Sequence, residues 1–213
     1  LVTWLGWRQT GRPLAEVFPF RAVAPLLWVG MAVTFVGGLL TANLASDLLL
    51  RVLPVPQWVV DFFSQFLGKD KGVTSYILLA LVAPLTEEFL FRGLIAWGLS
   101  WRYGILPVSL ISAALFGGMH VLPWQVVPAF LLGALFAWWR LESGSLWPSL
   151  VAHFITNSVA FFQGRSQSVK EALTTPPQPL VVSLLGLLVL GAGFIWCRTL
   201  FRRAAERETI DFA

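Results

Sequence analysis

Two adjacent acids, Glu87 and Glu88, and a base, Arg92, stand inside an otherwise apolar stretch of this chain. The two histidines, His120 and His153, lie in or at the edge of other apolar runs, and Asn157 follows His153 by four residues. An ionisable side chain at mid-bilayer costs at least about 2.5–3.5 kcal/mol. Residues of this kind must therefore face protein or a wet cavity. A carboxylate near imidazole can take a proton from water, while His or Asn donors stabilise an oxyanion. Alternatively, one Glu and two His make three ligands and leave a fourth zinc position to water. Both arrangements hydrolyse a polarised carbonyl, so the residues define a reaction class and leave the mechanism open.

Helix geometry separates the two glutamates. Residues 88 and 92 are four apart with the acid first, the better orientation for an ion pair on one helix face. Residue 87 lies about 100° round the helix from 88. Glu88 is thus expected to occupy Arg92, leaving Glu87 as an uncommitted carboxylate. His153 and Asn157, also four apart, project from one face of their own helix. A polar network that merely ties helices together is the competing reading for Glu87, Glu88 and Arg92, and a single intramembrane His is often a packing residue. Four polar groups on three separate helices argue instead for a convergent pocket. No Ser-based elbow or Gly-rich phosphate loop competes, and Ser109, Ser112, Ser149 and Ser158 are more simply helix-packing residues.

The elements that must position these groups are membrane helices. The 213 residues are 57% hydrophobic and only 12% charged, with a mean hydropathy of +0.75. Soluble domains average about 25% charged, so this chain is solvated by lipid, and its 11 Trp and 17 Phe suit that setting. The single Cys197 excludes an internal disulfide or a multi-Cys metal site within the chain. Basic residues flank apolar runs instead of forming a stripe, so the net charge of +4 reads as topology and not as nucleic-acid binding. The chain opens on Leu1, so upstream residues are expected, and no signal peptide is visible.

The fold expected is all-α, a polytopic bundle of about six transmembrane helices with a four-helix catalytic core. The apolar runs fall at about 22–44, 74–99, 104–119, 122–139, 145–163 and 180–200, with an interfacial helix over 56–67. Three parts follow: 1–72 holds the first helix and interfacial segment, 73–163 the catalytic core, and 164–213 a linker, the last helix and a basic tail. Nine Lys and Arg residues flank the side of the termini against five on the other. That bias predicts both termini in the cytoplasm, and the short loops with no visible organellar targeting segment predict a bacterial-type cell membrane.

Glu87-Glu88-Phe-Leu-Phe-Arg92, Phe116-Gly-Gly-Met-His120 and His153-Phe-Ile-Thr-Asn157 spell EExxxR, FxxxH and HxxxN, the last preceded by Gly144-Ser145-Leu146-Trp147-Pro148. Over roughly 73–163 the chain resembles the CPBP family of intramembrane proteases, which includes CAAX prenyl endopeptidases and Abi-type proteins. The resemblance implies helices around a hydrophilic cavity and cleavage of peptide bonds. By matching position it implies that Glu87 activates water with help from His120, and that His153 and Asn157 bind the oxyanion. It gives Glu88 and Arg92 the task of organising the site. It leaves two mechanisms: a metal-free glutamate, which is preferred, or a zinc ion held by Glu87, His120 and His153.

The function expected is therefore an intramembrane endopeptidase acting on membrane-protein or lipidated peptide substrates among membrane lipids. The alternative is a non-catalytic membrane scaffold or immunity or regulatory protein. An ion-coupled transporter fits less well, because no inverted repeat of broken helices is evident.

Overall fold

The computed structural model describes residues 1–61, 72–166 and 178–211. Two short helices, α1 (Val2–Thr10) and α2 (Leu14–Val17), precede the long α3 (Pro25–Val52). Residues 73–100 form one interrupted rod, α4. Then follow α5 (Ile105–Met119), α6 (Pro123–Ser143), α7 (Trp147–Ser166) and α8 (Leu180–Asp211). Six of these helices stand where the apolar runs predict them. The expected interfacial helix is helical over 57–61, and its remainder lies outside the described residues.

Local chemistry sets the boundaries. Proline opens α3 and α6 at their first turns, where its missing N–H is no loss. Gly144 closes α6 at φ 61°, a left-handed conformation that only glycine adopts without strain. A sharper break separates α5 from α6: Val121 has φ 62°, and Leu122 N–H donates to His120 C=O at 2.6 Å across it. This is a three-residue turn of the rare positive-φ kind, costly for a β-branched residue.

α4 departs most from the regular helix that its hydropathy suggests. It begins as Val73–Tyr76, widens into a π-helix over Ile77–Val82, and tightens to α over Ala83–Glu88. It widens again over Phe89–Ile95 before ending as Ala96–Ser100. π-segments are rare and gather at functional sites. The two here bracket the turn that carries Glu87 and Glu88.

Among the described residues, three helices are long and apolar enough to cross a membrane: Pro25–Val52, Pro123–Ser143 and Leu180–Glu206. The other three of the expected six fall short for physical reasons. α5 has 15 residues, roughly 22 Å at 1.5 Å per residue, against a hydrocarbon core of about 30 Å. α4 carries the charged triplet and is broken by its π-turns, and α7 is diluted by His153, Thr156, Asn157 and Ser158. The helices that carry these charged and polar side chains are the ones least suited to lie against lipid.

The apolar core lies between α3, α6 and α8, around Phe35, Phe136, Trp138, Trp139 and Phe201. Gly37 of α3 rests against the Leu190 backbone and Gly193 of α8 against Thr34, so these two helices touch main chain to main chain. Small residues permit this approach, as is usual where lipid supplies no hydrophobic drive. α8 turns Leu184, Leu185, Leu188 and Ile195 outward, exposed to the surroundings. A smaller cluster docks the amino-terminal helices onto α4: Phe18 stacks on Phe89 with ring centroids 5.0 Å apart, beside Val17 and Leu146.

Candidate active site

Glu87 and Glu88 leave the same turn of α4 in different directions. Glu88 is fully buried, whereas the side chain of Glu87 keeps 21% of its surface exposed. Glu88 Oε1 lies 3.0 Å from Arg92 Nη1, and Arg92 is also fully buried. Two unpaired charges could not survive there, and breaking such a pair leaves one of them stranded. Arg92 is held from three further sides. Its Nη2 donates to the Gly133 carbonyl of α6 at 3.1 Å. Its guanidinium lies 4.2 Å from the Phe116 ring centre and 5.8 Å from that of Phe136. A side chain at Gly133 would collide with this arrangement, because a Cβ there would sit 3.1 Å from Arg92 Nη2.

His153 of α7 stands between the two carboxylates. Its Nδ1 is 2.8 Å from Glu88 Oε1, and its Nε2 is 3.5 Å from Glu87 Oε2. An ionised carboxylate only accepts, so Nδ1 carries the proton toward Glu88 and orients the ring. The contact to Glu87 is longer than an ordinary hydrogen bond, which leaves that carboxylate with lone pairs to offer elsewhere. Phe116 and Phe136 wall the imidazole, with centroids 5.5 and 5.9 Å away.

His120, at the end of α5, approaches the Phe116 carbonyl through Nδ1 at 2.9 Å. A carbonyl can only accept, so the proton sits on Nδ1 and the Nε2 lone pair is left available. Both His153 and His120 lie within electrostatic reach of Glu87. Asn157 is placed differently from its neighbours: Nδ2 donates to the Leu79 carbonyl at 2.8 Å, within the first π-segment. The structure thus brings Glu87, Glu88, Arg92 and His153 into direct contact, with His120 at the edge and Asn157 fastening α7 to α4.

Several further contributors read from the sequence as no more than packing residues. Ser112 donates to the Phe91 carbonyl at 3.0 Å, so each π-segment has a carbonyl engaged by a side chain from a neighbouring helix. Phe136 and Gly133 support Arg92 from α6, where nothing in an apolar run distinguishes them from packing residues. Gly117 and Gly118 prove unlike: a Cβ on Gly117 would lie 2.9 Å from the Val126 carbonyl, whereas one on Gly118 would meet nothing within 4 Å.

Among the described residues, no three His, Cys, Asp or Glu side chains are grouped so as to hold a metal ion. If a zinc ion were bound, Glu87, His120 and His153 are the residues that would hold it: Nδ1 of each histidine is engaged, by Glu88 and by the Phe116 carbonyl, which leaves each Nε2 as the nitrogen a metal would take.

Residues 70–159 match the family model described as type II CAAX prenyl endopeptidase Rce1-like. The matched segment is similar to that family and contains every side chain of the site just described. The chain is also 29% identical over 175 residues to an "Uncharacterized 24.3 kDa protein" of Escherichia coli, covering 77% of this chain and 75% of that protein. It is 25% identical over 134 residues to the UPF0177 protein YxdF of Lactococcus lactis, covering 60% of this chain and 72% of the relative. No solved structure matches.

Proposed function

We propose that the protein is an intramembrane endopeptidase in which Glu87 activates the attacking water. The reading rests chiefly on one observation: of two adjacent glutamates, one is locked to Arg92 and His153 while the other stays partly exposed beside the same imidazole. Glu87 takes a proton from water as the water oxygen bonds to the scissile carbonyl carbon; when the tetrahedral intermediate collapses and the C–N bond breaks, that proton passes to the leaving amine, with His120 Nε2 assisting the transfer.

His153 is the candidate oxyanion donor. Its Nε2 edge lies 3.5 Å from Glu87 Oε2, beside the carboxylate that activates water, and an N–H there would face the developing negative charge. Glu88 fixes the ring for this task and Arg92 fixes Glu88. Asn157 Nδ2 has a second hydrogen beyond the one given to Leu79, and we assign it a supporting part at the oxyanion. Every step uses the chain's own groups, and none passes through a metal ion. Substrates are membrane proteins or lipidated peptides whose scissile segment can extend into the site, in a bacterial-type cell membrane with both termini cytoplasmic.

The test is to reconstitute wild-type protein and Glu87→Gln in liposomes with solubilised membrane proteins and to map new peptide termini by mass spectrometry. New termini with the wild type that vanish in the variant support the proposal. Identical termini in both samples would sink it.

A further inference from the structure

Away from the glutamates, at the end of the bundle where the chain collects most of its arginines, lies a cavity of about 360 Å³. Arg21, Arg140, Ser100, Tyr103 and Gly104 line it, with Glu16 at its margin. Arg140, in the last turn of α6, is 93% buried, being only 7% exposed. Its Nε has no hydrogen-bond partner. Its charged neighbour is Arg21, a second cation. Arg21 is held in place by the chain around it: Ser145 Oγ donates to its carbonyl at 2.8 Å, Leu146 N–H donates to the Pro19 carbonyl at 2.8 Å, and Arg21 Nη1 lies 3.6 Å from where a Cβ on Gly144 would sit.

No carboxylate among the described residues forms an ion pair with either arginine. Glu16 pairs instead with Arg12, at 3.8 Å. The carboxyl end of α6 favours a nearby cation by about 0.3–1 kcal/mol, but this does not require burying a guanidinium beside another of the same sign. Burial of a charge without a partner costs several kcal/mol, so an external anion is the missing component. Two guanidinium forks suit the several acceptor oxygens of a phosphate. Trp97 and Tyr103 at the cavity are the residues that mark a membrane–water interface, and basic pockets between helices at that depth seat lipid head groups.

We infer that Arg140 and Arg21 form a phosphate-binding site that holds the head group of an anionic phospholipid. The site is separate from the Glu87 centre and does not depend on the proteolytic reading. Native mass spectrometry of the delipidated full chain in neutral detergent tests it, with phosphatidylglycerol or phosphatidylcholine added and inorganic phosphate as competitor. Wild type retains phosphatidylglycerol in preference to phosphatidylcholine. Loss of a charge-assisted contact lowers that retention about tenfold in Arg140→Gln and about threefold in Arg21→Gln, while Arg102→Gln, outside the cavity, binds as wild type does. Because the Arg21 side chain is exposed, its variant reports even if Arg140→Gln fails to fold. Displacement of the lipid by millimolar phosphate supports the phosphate as the recognised group. Binding of inorganic phosphate without any lipid preference would overturn the membrane as the source. Equal retention of both lipids by wild type with no phosphate binding, or unchanged binding in Arg21→Gln, would overturn the site.

Discussion

The seam between α3 and α8 and the junction of α4, α5 and α7 are both helix contacts within one bundle, yet opposite materials build them. At the seam, glycines bring main chain against main chain, and the buried Thr34 hydroxyl donates within its own helix, to the Gly30 carbonyl at 2.7 Å. At the junction the helices stay further apart and two acids, a guanidinium and an imidazole fill the gap. α4 unwinds twice into π-turns, and Asn157 and Ser112 from its neighbours bond carbonyls within those turns. The seam is held by shape. The junction is held by charge that has no outlet except its partners, and its most exposed member is Glu87, the carboxylate proposed to activate water.

That contrast predicts different failures. Arg92→Met strands Glu88 in the interior and should lower stability by about 3–5 kcal/mol, read as a large fall in the melting temperature in detergent. An unchanged melting temperature would mean that the junction is not held by charge. Gly193→Val drives a side chain into Thr34, whose Cα and N would lie 2.9 Å from a new Cβ. Overpacking of this kind costs about 1–3 kcal/mol, and cleavage per folded molecule should survive, because the seam supplies no reacting group. Loss of specific activity in the folded fraction would blur the distinction between the two regions. Gly118→Ala should do least to stability, within about 0.5 kcal/mol, whereas Gly117→Ala should melt earlier because the Val126 carbonyl is in its way.

The helices were legible because lipid leaves a plain code: apolar runs bounded by Gly, Pro and Arg place α3 to α8 within a few residues, except that α3 and α8 run on past their apolar stretches. Glu88 and Arg92 were legible as a pair because four residues along a helix fix which side chains meet. The two-sided clamp on His153 was not, since it depends on how α7 crosses α4, and no spacing within one segment encodes that crossing. The π-turns were hidden for the same reason: residues 77–82 and 89–95 read as ordinary apolar helix, and what opens them involves carbonyl partners on α5 and α7. α1 and α2 were missed because their few apolar residues find partners only in other segments, on α4 through Phe89 and just before α7 through Leu146.

The division of labour between the neighbouring acids is the central claim, and paired measurement of melting temperature and substrate cleavage in Glu87→Gln and Glu88→Gln tests it most directly. The account predicts that Glu87→Gln melts as wild type does but loses cleavage by about 10²–10⁴-fold, while Glu88→Gln loses both stability and cleavage. A Glu87→Gln protein that still cleaves, or a Glu88→Gln protein as stable and active as wild type, would contradict it.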